Sequence, residues 1–322
     1  MKEQLLKNLC AVFLAGFMAL LLLPQSAQAQ KKEAYVVKSS DKKTLTFYYD
    51  AQKSSHTGTV WGIDETKEED QETFPAWAGT MYTAVPEITT AIFDLSFKNF
   101  LPKTTKNWFF NFTNLEEIKG LENLNSSEVT IMSGMFVDCE KLSQLNLSSF
   151  NTEKVQDMSG MFDGCSCLTS LNLSNFNTEK VQDMSNMFYC CKSLSSLNLS
   201  SFNTEKVQYM SGMFSGCSSL TSLNLSNFNT EKVQDMNGMF ESCSSLTSLN
   251  LSNFNIKKVQ DMSGMFADNT SLQTIYCNNT WTCALSNEMF YNCTSLKGAV
   301  RYNANKEDVS MANPNTGYFT KK

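Results

Sequence analysis

The sequence predicts an α/β solenoid of stacked 26-residue coils, each carrying one short parallel strand. Three observations predict it. Met-Phe recurs at Met135, Met161, Met187, Met213, Met239 and Met265 in steps of 26, then at Met289 after a step of 24. Leu-x-x-Leu-x-Leu recurs in the same phase, as at Leu168, Leu171 and Leu173. Near-identity extends beyond the apolar pattern: 159–184 and 211–236 differ only at Asp163/Ser215 and Cys167/Ser219. A fixed period of this length marks a stack in which each unit touches only its neighbours.

The elements follow in chain order. Residues 1–29 read as a signal peptide: Lys2 and Lys7, an apolar run from Leu9 to Leu23, then Ala27-Gln28-Ala29 as the cleavage site. The run is shorter than a usual membrane span, which favours cleavage over an uncleaved anchor. Cys10 lies inside the run rather than after it, unlike a lipoprotein acylation site. No second apolar span follows, so the mature chain is expected to be exported, at the cell surface or secreted, without a transmembrane span. Residues 30–106 read as a β-rich flanking cap, with Ala34–Val37 and Thr44–Tyr49 as a hairpin. Residues 107–298 are the solenoid, with a degenerate first coil at 107–134, regular coils over about 135–272 and a divergent last coil. Residues 299–322 form a C-terminal cap and tail.

Within one coil, Leu171 and Leu173 alternate as a strand with one buried face. Ser174 to Thr178 turn the chain. Val181, Met184 and Met187 are spaced three apart, which predicts a return arm of irregular or short helical turns. A lone coil leaves both of its faces open, so stacking is what allows it to fold. The expected core ladder is Phe136, Cys139, Phe162, Cys165, Phe188, Cys191, Phe214, Cys217, Phe240, Cys243, Phe266 and Asn269.

Export permits disulfides, and the chain has 11 cysteines. In-register stacking sets equivalent residues about 4.8 Å apart, whereas a bridge wants Cβ atoms about 3.8 Å apart. The cysteine ladder therefore reads as small buried hydrophobes. Asn269 in a cysteine's place fits a position whose polar atom meets a neighbouring backbone group. Cys277 and Cys283 bracket a short loop and are the expected bridge, if one exists.

A formal charge of −6 with no basic stripe argues against nucleic acid or an anionic bilayer as partner. The sole histidine, His56, sits in a loop-like stretch beside Ser54 and Ser55, the wrong arrangement for a triad drawn from distant elements. The acidic block from Asp64 to Asp70 reads as a solvated loop. No metal or cofactor motif is present, and the chain is expected not to be an enzyme. Asp157, Asp183, Asp235 and Asp261 could line calcium between coils, but Tyr209 breaks that row. Outward from each strand point Ser170, Asn172 and Ser174; Ser196, Asn198 and Ser200; Ser222, Asn224 and Ser226; and Ser248, Asn250 and Ser252. This uncharged face is the candidate binding surface for a protein or glycan, weak at each site and added over many. The plainer reading, which the residues favour, is a soluble face of small polar residues.

The unit Met-Phe-x-x-Cys-x-x-Leu-x-x-Leu-x-Leu-Ser-x-Phe-Asn-Thr-x-x-Val-x-x-Met resembles the BspA-type leucine-rich repeat surface proteins of Bacteroidetes, related to mycoplasma and treponeme repeats. Thr44–Asp50, Trp108-Phe109, Gly120–Asn125 and Gly317–Thr320 resemble that family's flanks. The resemblance implies a surface protein adhering to host matrix proteins, epithelium or other bacteria, and it carries no residue-level site. An envelope scaffold without a host ligand is the alternative, and a carbohydrate-active enzyme is a weaker one.

Overall fold

The structure is a computed structural model that describes residues 31–322; the signal peptide expected at 1–29 lies outside the described residues. The chain is mostly β with few helical residues. Strands β1 (Glu33–Lys38) and β2 (Thr44–Asp50) are rich in β-branched and aromatic residues and pair antiparallel, Val36 opposite Phe47. β3 (Thr59–Gly62) adds to the other edge of β1, and β4 (Thr66–Glu69) pairs with β5 (Glu72–Pro75) as a separate hairpin. β2 then pairs in parallel with β6 (Thr90–Phe93), and β6 with β7 (Glu117–Lys119). Phe47 stacks on Phe93 at 4.5 Å and on Trp108 at 5.5 Å, so aromatic rings close this end of the core.

Downstream, equivalent residues lie in rows. Parallel bridges join Ile131, Asp157, Asp183, Tyr209, Asp235 and Asp261 in succession, with Thr104 before them and Leu285 after. Phe109, Phe136, Phe162, Phe188, Phe214, Phe240, Phe266 and Phe290 stack through the interior at 5.4–5.8 Å, all fully buried.

The arm after each Val-Gln-Asp is not helical. Among the described residues there is no α-helix, only 3₁₀ segments at Lys53–Ser55, Leu95–Asn99, Leu121–Asn123 and Val309–Met311. The arm is instead a chain of tight turns. Met161, Asp163 and Cys165 donate N–H groups to carbonyls three residues back, at 3.1–3.2 Å. The alternate N–H groups, of Met158, Gly160, Phe162 and Gly164, donate to the next unit at 2.9–3.1 Å, Gly160 closer still at 2.8 Å. Left-handed residues at Gly160 (φ +58°) and Gly164 (φ +70°) produce this alternation, and their counterparts Asn186 and Cys190 do the same. The three-residue spacing suggested a helix, but a left-handed residue every fourth position prevents one.

The expected strand in every coil is also corrected. β8 (Ser248–Asn250), β9 (Thr274–Tyr276) and β10 (Phe319–Thr320) pair in parallel, but Leu171–Leu173, Leu197–Leu199 and Leu223–Leu225 form no strand. Side chains explain the difference. Thr152 Oγ1 donates to the Asn177 carbonyl at 2.9 Å and accepts the Asn177 N–H at 2.8 Å. Thr178, Thr204 and Thr230 repeat the clasp to Asn203, Asn229 and Asn255. Asn175 Nδ2 adds donations to the Leu147 and Phe150 carbonyls. On this side, side-chain bonds of this kind, rather than a backbone ladder, join one unit to the next. After β8 the threonine is replaced by Ile256, no clasp forms, and β8 meets β9 directly.

At the C-terminal end Trp281 packs edge-on to Phe319 at 4.9 Å, and Phe290 to Tyr318 at 5.2 Å, so the tail covers the last open face. Among the described residues no helix is long and apolar enough to cross a membrane.

Candidate functional site

The Ser-Asn-Ser residues from Ser170 to Ser248 are exposed as a surface, and Asn250 and Ser252 are half-buried. Their asparagines are already occupied. Asn172 Oδ1 accepts the Ser174 N–H at 3.1 Å, and Asn198, Asn224 and Asn250 accept from Ser200, Ser226 and Ser252 in the same way. Each asparagine therefore shapes its own turn. A shallow depression of about 540 Å³ opens on this side where β7 faces Ser143–Asn146, Ser170 and Asn172.

The ladder residues Cys139, Cys165, Cys191, Cys217, Cys243 and Asn269 are fully buried. Cys165 Sγ donates to the Phe136 carbonyl of the preceding unit at 3.1 Å, and Cys191 to Phe162 at 3.2 Å. Asn269 Nδ2 reaches the Phe240 carbonyl at 2.6 Å and the Phe266 carbonyl at 2.8 Å. Burial pushes these thiols up, Cys217 to about 12, which keeps them from the thiolate form that reacts. The expected Cys277–Cys283 bridge is absent: both thiols are free. Trp281 between them is buried in the core, and Cys283 turns back towards the Val259 carbonyl while Cys277 faces Asn279.

His56 is not a free loop side chain. Its ring lies 4.5 Å from Tyr48 and 5.4 Å from Tyr35, whose hydroxyl donates to Asp50 at 2.6 Å.

The turn arms build a second surface, of which the sequence reading singles out only the aspartate row from Asp157 to Asp261, as a calcium line broken by Tyr209. Asp157 and Asp163 line one depression on it, of about 450 Å³, together with Ser159 and Asn186. Asp157 Oδ1 accepts the Ser159 N–H at 2.9 Å, and Asp183, Asp235 and Asp261 cap their turns alike. Asp183 has its carboxyl raised, first by burial and partly by the charges of Asp157 and Asp235. Asp163 is pushed up to about 7, by burial and then by the Asp138 charge. Further along, Tyr189, Lys192, Glu241 and Asp268 surround another depression of about 410 Å³. A signal for this face was present in the sequence. The residue after Met-Phe is Val137, Asp163, Tyr189, Ser215, Glu241, Ala267 and Tyr291, different at nearly every unit of an otherwise constant repeat.

No curated protein matches the sequence. Among solved structures, a leucine rich cell surface protein from Faecalibacterium prausnitzii A2-165 is 14% identical, covering 82% of this chain and 92% of its own, with a TM-score of 0.28. The T. pallidum leucine rich repeat protein is 13% identical, covering 74% and 77%, with a TM-score of 0.24. Neither superposes closely, and the fold rests on the chain's own hydrogen bonds. The family model described as "Mycoplasma protein of unknown function, DUF285" matches residues 103–222 and 191–303. Those matches take in more than half of the sequence, and the chain belongs to that family, the BspA-type leucine-rich repeat proteins.

Proposed function

We propose that this chain is a non-catalytic, exported surface protein. Its units stack as a leucine-rich repeat solenoid of 26-residue coils and bind protein or glycan on host or bacterial surfaces through the array. The supporting observation is the row-by-row repetition of exposed groups: parallel bridges from Ile131 to Asp261 bring equivalent side chains of successive units side by side. A contact too weak to hold at one unit is then multiplied along the row. The test is binding of the chain from residue 30 to immobilised fibronectin, fibrinogen, laminin and mucin at physiological salt. Saturable binding that weakens as whole units are removed is the expected result. Absence of binding to all four, with the protein folded, would move the reading to an envelope scaffold.

A further inference from the structure

We infer that the array takes its partner on the turn face rather than on the Ser-Asn-Ser face, and that the partner is a cationic polypeptide segment rich in lysine or arginine. The inference rests on the surface-binding reading above and names its face and partner class.

Three observations converge. The first is where near-identical units differ. Exposed Glu153, Glu179, Glu205 and Glu231 repeat without change, as do Asn172, Asn198 and Asn224. The position after Met-Phe, in the turn arm, changes at every one of these units, Asp163, Tyr189, Ser215 and Glu241, while other differences, such as Cys167/Ser193, Thr169/Ser195 and Asn175/Ser201, each set one unit apart from the rest. The second is exposure. Within 107–298 the exposed large apolar side chains are Ile131, Tyr189, Tyr209, Leu285 and Tyr291, and every one lies in a turn-face row. The Ser-Asn-Ser face has none. The third is charge. Asp157, Asp183, Asp235 and Asp261 form one row, and Asp163 and Glu241 belong to the variable one. Neither row holds a lysine or arginine between 131 and 291; beside the rows, Lys106 is paired with Glu72, and Lys192 is the one cation lining the Tyr189–Glu241 depression. Among the described residues the ion pairs run to Glu33, Glu72, Glu87, Glu117 and Glu128, so none neutralises these carboxylates.

Two adjacent carboxylate pairs, Asp157–Asp183 and Asp235–Asp261, each pair about 4.8 Å apart along the row with Tyr209 between them, match a string of lysine or arginine side chains. The cations meet the carboxylates, and the exposed rings add cation–π contact. A polyanionic glycan would be repelled. Backbone N–H groups of these arms are committed, alternately to their own turn and to the next unit, so recognition is by side chains and not by strand addition.

The test uses the chain from residue 30 and an oligo-arginine peptide, with oligo-glutamate and a neutral oligosaccharide as comparisons. One variant carries Asp157→Asn, Asp183→Asn, Asp235→Asn and Asp261→Asn. Asparagine keeps the oxygen that caps each turn and removes the charge, so circular dichroism and melting should match the parent. A second carries Tyr189→Ser with Tyr209→Ser, and a control carries Ser196→Ala with Ser222→Ala. The parent should bind oligo-arginine, more weakly as salt rises. The asparagine variant should bind about thirtyfold more weakly, the tyrosine variant severalfold more weakly, and the control equally well. Unchanged affinity in the asparagine variant, or no oligo-arginine binding by the parent, overturns the inference. Oligosaccharide binding that only the tyrosine variant loses would overturn the partner class in favour of a neutral glycan. Running the matrix-protein assay on the same variants separates the two claims. Matrix binding that survives the asparagine variant sinks the face and leaves the surface-binding reading standing. Matrix proteins unbound by a parent that still holds oligo-arginine sinks only that reading.

Discussion

Cys165 and Asn269 show how one buried position can take two chemistries. Each donates to a phenylalanine carbonyl of the preceding unit, as a second donor beside a backbone N–H of that unit's own turn. The thiol makes a weak bond at little desolvation cost, and the amide makes stronger ones. Asp163 is the converse case, a carboxylate held where burial disfavours its charge. Its folded value of about 7 stands above the ordinary 3.8. The folded state therefore binds the proton more tightly than the unfolded state, and stability falls as pH rises from about 4 to about 7. Ser215 occupies the equivalent position without a charge. Urea midpoints measured at pH 4 and pH 8 should drop for the parent, and Asp163→Asn should reduce that drop. An identical drop in the variant would place the titrating group elsewhere.

At the scale of the element, the turn arm depends on left-handed residues. A β-carbon on Gly164 would stand 2.2 Å from Asp138 Oδ1, whereas Gly264, at φ +63°, has nothing within 4 Å. Gly264→Ala carries only the backbone penalty, about 1–2 kcal/mol. Gly164→Ala adds a collision with the Asp138 carboxylate and should cost more, read as a larger fall in melting temperature. Equal falls would show that the Asp138 side chain swings away freely. The opposite arm is governed by the threonine clasp, which explains why a leucine pattern that alternates as a strand does not become one until Ile256 removes the clasp.

Across the whole molecule, the two sides of the stack are joined by different means. Backbone bonds close the turn side, and side-chain clasps join the units on the leucine side. Both ends of the core are covered, by the Phe47–Phe93–Trp108 stack at one end and by Tyr318 and Phe319 at the other. Removing residues 299–322 uncovers Phe290 and Trp281 and should convert a monodisperse protein into an aggregating one on size-exclusion chromatography. A truncated chain that stays monodisperse with an unchanged melting point would show that the tail is dispensable.

The period, the phenylalanine and cysteine rows and the family were legible in the sequence, because an apolar pattern written many times has one way to bury itself. The Ser-Asn-Ser positions were legible as exposed, but their use in capping turns was not. The strand in every unit, the helical return and the Cys277–Cys283 bridge were read from local spacing, and tertiary structure decided each differently. Local spacing cannot show that a threonine will reach the next unit's backbone, or that a left-handed residue will send every other N–H outwards. The sequence by itself determined what stacks on what. Only the folded chain decided which side closes by backbone and which by side chains, since that depends on hydrogen bonds between residues of different units that no single unit contains.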